Sequence, residues 1–281
     1  MRATLAEVLQ PALSHGYAVA GMVCLGWEDM RAYVTAAESE DSPVILQAGP
    51  GCREHTPLSV LASMMGQLAD QSSVPVVLHL DHGYSADECR EAIECGFTSV
   101  MFDGSAKPLD ENIEETAAIA ALAHRNGVSC EGEIGFVGYA QGEVSRVTDP
   151  VEAARFASET GVDAMAISIG NVHLQRQAGT VLDEPALAAI EAATQCPLVI
   201  HGGSGVPENQ RKRLARGSAI CKFNIGTQLR QCFGQSLRRA LTEDPDMFDR
   251  NTILKRVEPA LGAEAVSVYR ALGSAGKGSV K

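Results

Sequence analysis

Short apolar runs alternate with amphipathic stretches along most of the chain. Eight of the runs have the length, the β-branched content and the flanking turn residues of buried strands. They cover residues 18–23, 43–48, 74–80, 98–102, 128–134, 164–169, 198–201 and 219–225. From the third run onward, stretches with helical periodicity separate them, at residues 85–93, 111–124, 150–160, 184–193 and 207–216. The pattern therefore predicts an alternation of strands and helices.

Helix-boundary signals support this alternation. Ser85 precedes two acidic residues, and Pro150 follows Thr148 and Asp149 at a predicted first turn. Four helices are predicted to close at a glycine just before the next strand, at Gly96, Gly127, Gly161 and Gly217.

Eight strand–helix units in succession are typical of an α/β fold of the (β/α)8 TIM barrel type. Residues 1–17 predict an extra helix at the bottom of the barrel, and residues 248–272 predict an extra C-terminal helical segment. We expect residues 1–281 to form a single domain, with a mobile tail over residues 273–281. A doubly wound open sheet is the competing fold, but no G-x-G-x-x-G motif follows the first strand.

Composition narrows the possible functions and the compartment. The net charge of −12 argues against binding to nucleic acid or to an anionic membrane, although a local pocket can still be positive. The sequence opens without a basic-then-apolar leader and contains no apolar run that approaches the length of a membrane span, so we expect a cytoplasmic protein. The eight cysteines form no Cys-x-x-Cys pair, and we expect reduced, mostly structural thiols.

Unusual polar residues cluster at the carboxyl ends of the predicted strands, the face of a barrel that carries active sites. The third strand ends in His79-Leu80-Asp81-His82, the sixth runs into His173, and the seventh ends at His201. A lone histidine at a strand end is more often structural than a ligand. Here four of the seven histidines lie at such ends, and three separate strands supply them, which favours a catalytic zinc site.

The side chains at the end of the third predicted strand can each take one of two roles. His79 and Asp81 share one strand face, while His82 lies where the strand gives way to a loop. One of the two histidines is therefore a candidate ligand and the other a supporting group. Asp81 either relays a proton or orients a metal-bound imidazole.

Two glycine-containing loops predict a phosphate site. The segment His201-Gly202-Gly203-Ser204-Gly205 leads toward a helix whose first turn is predicted at Pro207, and Asn224-Ile225-Gly226-Thr227 again precedes a helix. Backbone N–H groups and helix dipoles at such turns suit an anion, and barrel phosphate sites commonly use the loops after strands seven and eight. Either loop alone is a weak signal, since such turns also serve as plain connectors.

In order and spacing, four motifs resemble those of class II fructose-1,6-/tagatose-1,6-bisphosphate aldolases. They are His79-Leu80-Asp81-His82, Ile169-Gly170-Asn171-Val172-His173, His201-Gly202-Gly203-Ser204-Gly205 and Asn224-Ile225-Gly226-Thr227. The likeness runs from about residue 5 to residue 275. It implies a carbon–carbon lyase that reversibly cleaves a phosphorylated ketose to dihydroxyacetone phosphate and an aldehyde.

The resemblance also implies roles for individual residues. It makes His82, His173 and His201 the ligands of Zn²⁺ or another divalent metal, with Glu133 of Glu131-Gly132-Glu133 as an alternative or second contact. A monovalent cation is a further candidate cofactor. Asp81 would exchange a proton with the hydroxyl next to the cleaved bond, and Glu143, in a mobile loop over residues 136–147, would be a second catalytic carboxylate. The ketose-end phosphate would meet Gly202, Gly203, Ser204, Asn224, Gly226 and Thr227.

Two arginines are candidates for a distal phosphate or acidic group. Arg250 matches a family position used for the far phosphate, and Arg53 lies in the loop after the second strand. A plain surface role is the alternative for each. Family members commonly pair through helices that flank the barrel, so the resemblance implies a homodimer or homotetramer.

Three departures from the family pattern concern the substrate pocket. Val23 stands where the family usually has asparagine, Gly49 where it often has serine or threonine, and Leu174 where it has glycine. The metal chemistry therefore looks intact while the pocket looks altered. We expect an aldolase whose preferred substrate differs from fructose 1,6-bisphosphate.

Three rival functions remain open. A Schiff-base aldolase needs a desolvated lysine, and Lys222 lies on the same strand face as Asn224. A zinc-dependent barrel hydrolase is a second rival. The two predicted phosphate loops argue against it. A barrel binding protein without catalysis is the third; the three departures favour it, and the retained Asp81 and histidines oppose it.

Overall fold

The computed structural model describes residues 1–140, 142, 144–175, 177 and 179–279. Within them lie the strands β1 (Arg2–Ala3), β2 (Val19–Val23), β3 (Val44–Ala48), β4 (Val76–Gly83), β5 (Ser99–Phe102), β6 (Ser129–Ile134), β7 (Ala164–Ile167), β8 (Leu198–Ile200) and β9 (Ile220–Ile225). Strands β2 to β9 pair in chain order, all parallel, and β9 pairs back to β2. This closed ring of eight strands confirms the predicted (β/α)8 barrel. The open sheet is excluded, because such a sheet keeps two free edges.

Helices follow the strands around the outside of the ring, except α1, which precedes the first strand of the ring. They are α1 (Leu5–His15), α2 (Trp27–Ser39), α3 (Pro50–His55), α4 (Leu58–Gln71), α5 (Ala86–Cys95), α6 (Leu109–Arg125), α7 (Pro150–Thr160), α8 (Glu184–Ala193), α9 (Glu208–Gly217), α10 (Thr227–Glu243) and α11 (Arg250–Leu272). Predicted caps are present at both ends of α5 and α7: Ser85 and Asp149 accept first-turn N–H groups, and Gly96 and Gly161 adopt left-handed backbone. Gly217 differs from the prediction, since it is the last residue of α9 and Ser218 caps that helix.

The first residues depart from the predicted helix over residues 1–17. Thr4 and Glu7 form a reciprocal capping box that fixes the start of α1 at Leu5. The two residues before Thr4 form β1, which pairs in parallel with Val76 and Val77 of β4. As expected for a bottom plug, α1 packs its apolar face on the lower layer of barrel side chains, including Val19 and Val77.

The C-terminal segment packs back onto the barrel wall. Tyr269 of α11 donates a hydrogen bond to the carbonyl of Tyr33 in α2 (3.0 Å). After α11, the N–H of Gly276 donates to the Glu40 carbonyl (2.8 Å), and the N–H of Gly278 donates to the Asp41 carbonyl (2.7 Å). The segment predicted to be a mobile tail is thus hydrogen-bonded to the α2–β3 loop as far as Gly278. None of the described helices is long and apolar enough to cross a lipid bilayer.

Buried polar side chains occupy the upper half of the barrel interior. Above the apolar layer come His79, Glu131, Glu133, His201 and Lys222, each at most 1% exposed. Because parallel strands present their carboxyl ends at one mouth, these side chains and the following loops converge there. The fold therefore concentrates the ionisable groups at one end of the barrel.

Candidate functional site

A cavity of about 290 Å³ opens at this mouth. Its walls come from the carboxyl ends of β2, β4 and β9 and from the segments that follow β2, β3, β6, β7, β8 and β9. Asp81, His82, His173, Ser204 and Asn224 all line it. The structure thus brings together side chains that the sequence placed on separate strand ends.

Three histidines meet at the floor of this cavity. The ring centroid of His82 lies 5.1 Å from that of His173 and 4.6 Å from that of His201. The centroids of His173 and His201 are 5.5 Å apart. One ring nitrogen from each lies within 4.8 Å of the others. His82, whose φ of 55° is left-handed, joins this cluster, whereas His79 lies deeper in the barrel. The structure thus groups His82, and not His79, with the other two candidate ligands.

Two buried atoms at this cluster are orphaned. His201 Nδ1 and Glu133 Oε2 lie 3.3 Å apart, and neither has a hydrogen-bond partner among the described residues. Buried polar atoms are normally satisfied, so an orphaned ring nitrogen facing a carboxylate oxygen fits a cation between them. The donor set of imidazole nitrogens and a carboxylate oxygen suits zinc.

Carboxylates around the cluster orient the rings and set their charge. His82 Nδ1 lies 2.7 Å from Asp103 Oδ2, so this carboxylate fixes the His82 ring, as outer groups do for metal-binding histidines. Burial opposes the charge on His82, but Asp81, Asp103 and Glu133 outweigh it and raise its pKa to about 9. Burial, together with the charge on Asp103, raises the pKa of Glu133 to about 8.

The other two rings are held neutral. Burial, reinforced by the neighbouring His82, lowers the pKa of His173 to about 3, and the same two causes lower the pKa of His201 well below its usual value. A neutral imidazole keeps the lone pair that a metal ligand needs, whereas His82 would release a ring proton when it binds an ion.

Asp81 is held at one oxygen and open at the other. Its Oδ1 accepts hydrogen bonds from Gln47 Nε2 (3.0 Å) and Asn224 Nδ2 (3.3 Å). Its Oδ2 faces Gly49, where an added Cβ would lie 3.3 Å away. The amides of Gln47 and Asn224 also fill the space beside Gly21, so closely that a Cβ there would lie 2.2 Å from Gln47 Oε1. Asn224, predicted to hold phosphate, thus also positions the candidate proton carrier.

Arg53 supports the site from behind and is not a surface residue. Its side chain is 7% exposed, and its guanidinium donates to the carbonyls of Ala48 (2.6 Å), Asp81 (2.7 Å) and His82 (2.9 Å). Neither of its two predicted roles, a distal anion contact or a plain surface arginine, matches this placement. Arg53 instead fixes the backbone that carries Asp81 and His82.

The predicted phosphate loops form one continuous wall of the cavity. Gly202 is left-handed (φ 67°), residues Gly203–Gly205 form a 3-10 turn, and α9 starts after Pro207, one step later than predicted. Ser204 Oγ accepts hydrogen bonds from the N–H of Gly226 (3.1 Å) and of Gln228 (3.3 Å). It thereby joins this turn to the start of α10, which has no side-chain cap at Gly226. Gly202, Ser204, Gly226 and Thr227 line the cavity, and Gly203 lies buried behind them.

A second cavity of about 240 Å³ adjoins the first. The two share the lining residues Val23, Leu25 and Arg230. Arg250, at the start of α11, lines the second cavity and not the first. Within the residues that the structure describes, the guanidinium groups of Arg230 and Arg250 form no ion pair and no side-chain hydrogen bond. Both cations are open to an anionic group that extends beyond the main cavity, beside Glu28 and Asp29, which line the same cavity.

The departures from the family pattern lie in the cavity walls. Val23 lines both cavities and packs against Gly226, where a Cβ would meet Val23 Cγ2 at 3.0 Å. Leu174 lines the main cavity with a left-handed φ of 57° and an exposed fraction of 51%.

In the loop after β6, the ring of Tyr139 stacks on the ring of His173, with centroids 5.0 Å apart. Glu143 lies outside the described residues.

Sequence reasoning missed Gln47, Tyr139 and Arg230. Gln47 had a detectable signal, since it is the one polar residue in the apolar strand β3. Tyr139 and Arg230 lie in a loop and on a helix with no distinguishing pattern around them.

Known proteins resemble this chain over nearly all of its length. The family described as class II fructose-bisphosphate aldolase matches residues 3–277. The 6-phospho-5-dehydro-2-deoxy-D-gluconate aldolase of Bacillus subtilis is 38% identical over 98% of this chain and 96% of that protein. The fructose-bisphosphate aldolase of Geobacillus stearothermophilus is 35% identical over 98% of each. The solved structure of the YdjI aldolase from Escherichia coli K12 has a TM-score of 0.87 at 31% identity, covering 99% of this chain and 100% of that one.

Proposed function

The chain belongs to the class II fructose-bisphosphate aldolase family, and on that premise we propose that it is a metal-dependent aldolase acting on a phosphorylated ketose. The observation that carries the proposal is the orphaned pair of His201 Nδ1 and Glu133 Oε2 beside two further histidines and Asp81. His82, His173 and His201 would hold Zn²⁺ or another divalent ion, with Glu133 as an additional contact. A bound divalent ion would supply Lewis-acid chemistry, drawing electron density from the substrate oxygens.

The residues of the chain account for the proton and the position of the substrate. In the cleavage direction, Asp81 takes the proton from the hydroxyl on the carbon next to the breaking bond, and that carbon becomes the aldehyde. The electron pair of the broken bond passes into the ketone half, which must gain a proton on carbon before release. Because Gln47 and Asn224 hold Asp81 Oδ1, its Oδ2 is the oxygen left to exchange the proton. Glu143 remains the candidate for the second proton transfer.

The phosphate of the ketone half would lie against the wall made by residues 202–204 and the start of α10. Ser204 Oγ engages the N–H groups of Gly226 and Gln228 at the start of α10, and the positive end of the helix dipole behind this turn attracts an anion. Gly202, Gly203, Ser204, Asn224, Gly226 and Thr227 are proposed to form this site. A monovalent cation beside the phosphate remains part of the proposal.

The far end of the substrate is proposed to differ from that of fructose 1,6-bisphosphate. Val23 and Leu174 place apolar side chains in the cavity wall, and at Gly49 the wall lacks the hydroxyl side chain that the family often has there. Relatives at 38% and 35% identity are named for two different substrates, so similarity alone does not choose between them. Arg230 and Arg250 in the adjoining cavity favour a substrate whose aldehyde end carries a second anionic group. Cytoplasmic location and a homodimer or homotetramer remain part of the proposal.

The test is a retro-aldol screen of phosphorylated ketoses and ketose acids with the zinc-loaded protein. We expect cleavage that chelation abolishes and zinc restores, with bound metal measured on the same sample. Asp81→Ala should keep the metal and lose cleavage, because it removes the proton carrier and leaves the imidazoles in place. Near-full turnover by Asp81→Ala would refute its role. Bound ligand without any cleavage would favour the barrel binding protein instead.

A further inference from the structure

A closed network of charged and polar side chains lies directly beneath the proposed metal site. Lys222 Nζ donates hydrogen bonds to Glu131 Oε2 (2.5 Å) and to His79 Nε2 (3.1 Å). The other oxygen of the same carboxylate, Glu131 Oε1, lies 3.1 Å from His201 Nε2. His79 Nδ1 lies 2.8 Å from Ser99 Oγ. The exposed fraction of Lys222, Glu131, His79, Ser99 and His201 is 0%, so solvent does not screen these contacts.

Lys222 has no direct access to substrate. It does not line either of the two adjoining cavities, and its ammonium group is engaged on two sides. A Schiff-base lysine needs a free, neutral amine that reaches the substrate carbonyl. The placement of Lys222 therefore calls for a different role.

The network defines the protonation pattern of His201. An ionised carboxylate only accepts hydrogen bonds, so the contact with Glu131 requires that His201 Nε2 carries the proton. In a neutral imidazole the other nitrogen then has the lone pair, and His201 Nδ1 is the orphaned atom that faces Glu133. Lys222 compensates the charge that Glu131 carries in a dry interior.

We propose that Lys222 and Glu131 are positioning residues that hold the His201 ring in its Nε2–H tautomer and aim Nδ1 at the metal. The inference rests on the proposed metal site. Without Lys222, Glu131 would be left as an uncompensated buried charge, and its carboxylate would move from the position that holds His201 Nε2–H.

The tautomer can be read directly on the wild-type protein. Long-range ¹H–¹⁵N correlation spectra of metal-free protein labelled at histidine nitrogens distinguish the two tautomers. The His201 signals are identified by their loss in His201→Gln. We expect the Nε2–H pattern for His201; an Nδ1–H pattern overturns the inference. This measurement does not depend on activity, and its one variant, His201→Gln, serves only to assign the signals.

Metal affinity provides the second test. Lys222→Met should weaken Co²⁺ binding by about 10–100-fold and change the visible absorption of the bound ion. The double variant Lys222→Met/Glu131→Gln removes both charges and keeps an amide oxygen for His201 Nε2–H, so it should recover much of the lost affinity. Lys212→Met, which removes a lysine at the surface, is the matched control and should bind like wild type.

The outcomes separate this inference from the proposed function. Wild-type Co²⁺ affinity and absorption in Lys222→Met overturn the positioning role, and so does a double variant that binds no better than the single one. Borohydride trapping of Lys222 with substrate would also overturn it, by showing a Schiff base. If wild type binds no metal and cleaves no ketose, the proposed function fails, while the tautomer measurement still stands by itself.

Discussion

Arg53→Met tests whether one guanidinium holds the backbone of the candidate site. The substitution keeps most of the aliphatic stem and removes the donors to the carbonyls of Ala48, Asp81 and His82. It also removes the ion pair with Glu88, whose side chain is 27% exposed, and such a pair is worth at most about 1 kcal/mol.

The expected loss of folding stability follows from the hydrogen bonds to the three carbonyls. A hydrogen bond to a charged group contributes about 1.5–3 kcal/mol, so their loss would remove at least about 4.5 kcal/mol if nothing replaced it. Asp81 and His82 line the cavity, where water replaces part of the loss. We therefore expect net destabilisation of about 3–5 kcal/mol, at the upper end for one substitution, and a fall in Tm of roughly 10 °C.

The effect should extend to the metal. His82 has a left-handed φ of 55°, a conformation that costs a non-glycine residue about 1–2 kcal/mol, and Arg53 binds the carbonyl of that residue. Once released, the His82 ring would leave its place in the cluster, and zinc affinity should fall about 10–100-fold.

Thermal unfolding and competition for zinc with a chelating dye measure both effects. Arg53→Lys, which keeps a cation but not the fork of donors, should fall between Arg53→Met and wild type. Arg31→Met is the matched surface control, since Arg31 is 40% exposed, pairs with Glu258 and lies over the Trp27 ring; it should change stability by about 1 kcal/mol at most. If Arg53→Met unfolds and binds zinc like Arg31→Met, Arg53 does not hold the site.

Three further predictions concern the metal and the pocket. Removing the metal with a chelator should lower Tm, because an ion at 1,000 times its Kd stabilises the folded state by about 4 kcal/mol. Calorimetry with re-addition of zinc measures this change. An unchanged Tm argues against a bound ion. Leu174→Gly should change stability by less than about 1 kcal/mol, because relief of the left-handed leucine is offset by the entropy of glycine. The same variant should raise kcat/KM for fructose 1,6-bisphosphate severalfold, and an unchanged ratio shows that Leu174 does not restrict the pocket. Arg230→Met should lower kcat/KM at least tenfold for substrates with a second anionic group and leave mono-anionic ones unaffected; equal losses for both would contradict a contact with that group.

The parts of the fold that sequence predicted correctly are those with a local signal. An apolar run that ends in a glycine or a polar cluster marks both the strand and its carboxyl end, which is why His82, His173 and His201 were placed at one mouth. The two residues of β1 are too few to show a period, and their strand character depends on pairing with β4. The glycine-rich C-terminal segment similarly reads as mobile until its contacts with Glu40 and Asp41 are known.

Partners within the site were harder to predict, because they depend on register between distant segments. Gln47 and Asp81 are 34 residues apart in sequence, and Glu131 and Lys222 are 91 apart. Gln47 and Asp81 meet between the neighbouring strands β3 and β4, whereas Glu131 on β6 and Lys222 on β9 meet across the closed barrel. In both cases strand pairing and closure bring the members together. Arg53 shows the same limit, since nothing near it indicates that its guanidinium reaches the end of β4.

The loop after β6 is bonded to the backbone of a candidate metal ligand. Tyr139 forms a bridge with His173, the N–H of His173 donates to the Gly138 carbonyl (2.8 Å), and the N–H of Ala140 donates to the His173 carbonyl (3.1 Å). A displacement of this loop would therefore pull on the backbone of His173, a proposed ligand of the metal ion. Binding of substrate under a closed loop and binding of the ion would then be thermodynamically linked. By reciprocity, if substrate raised the affinity for the ion through the loop, the ion would raise the affinity for substrate by the same factor.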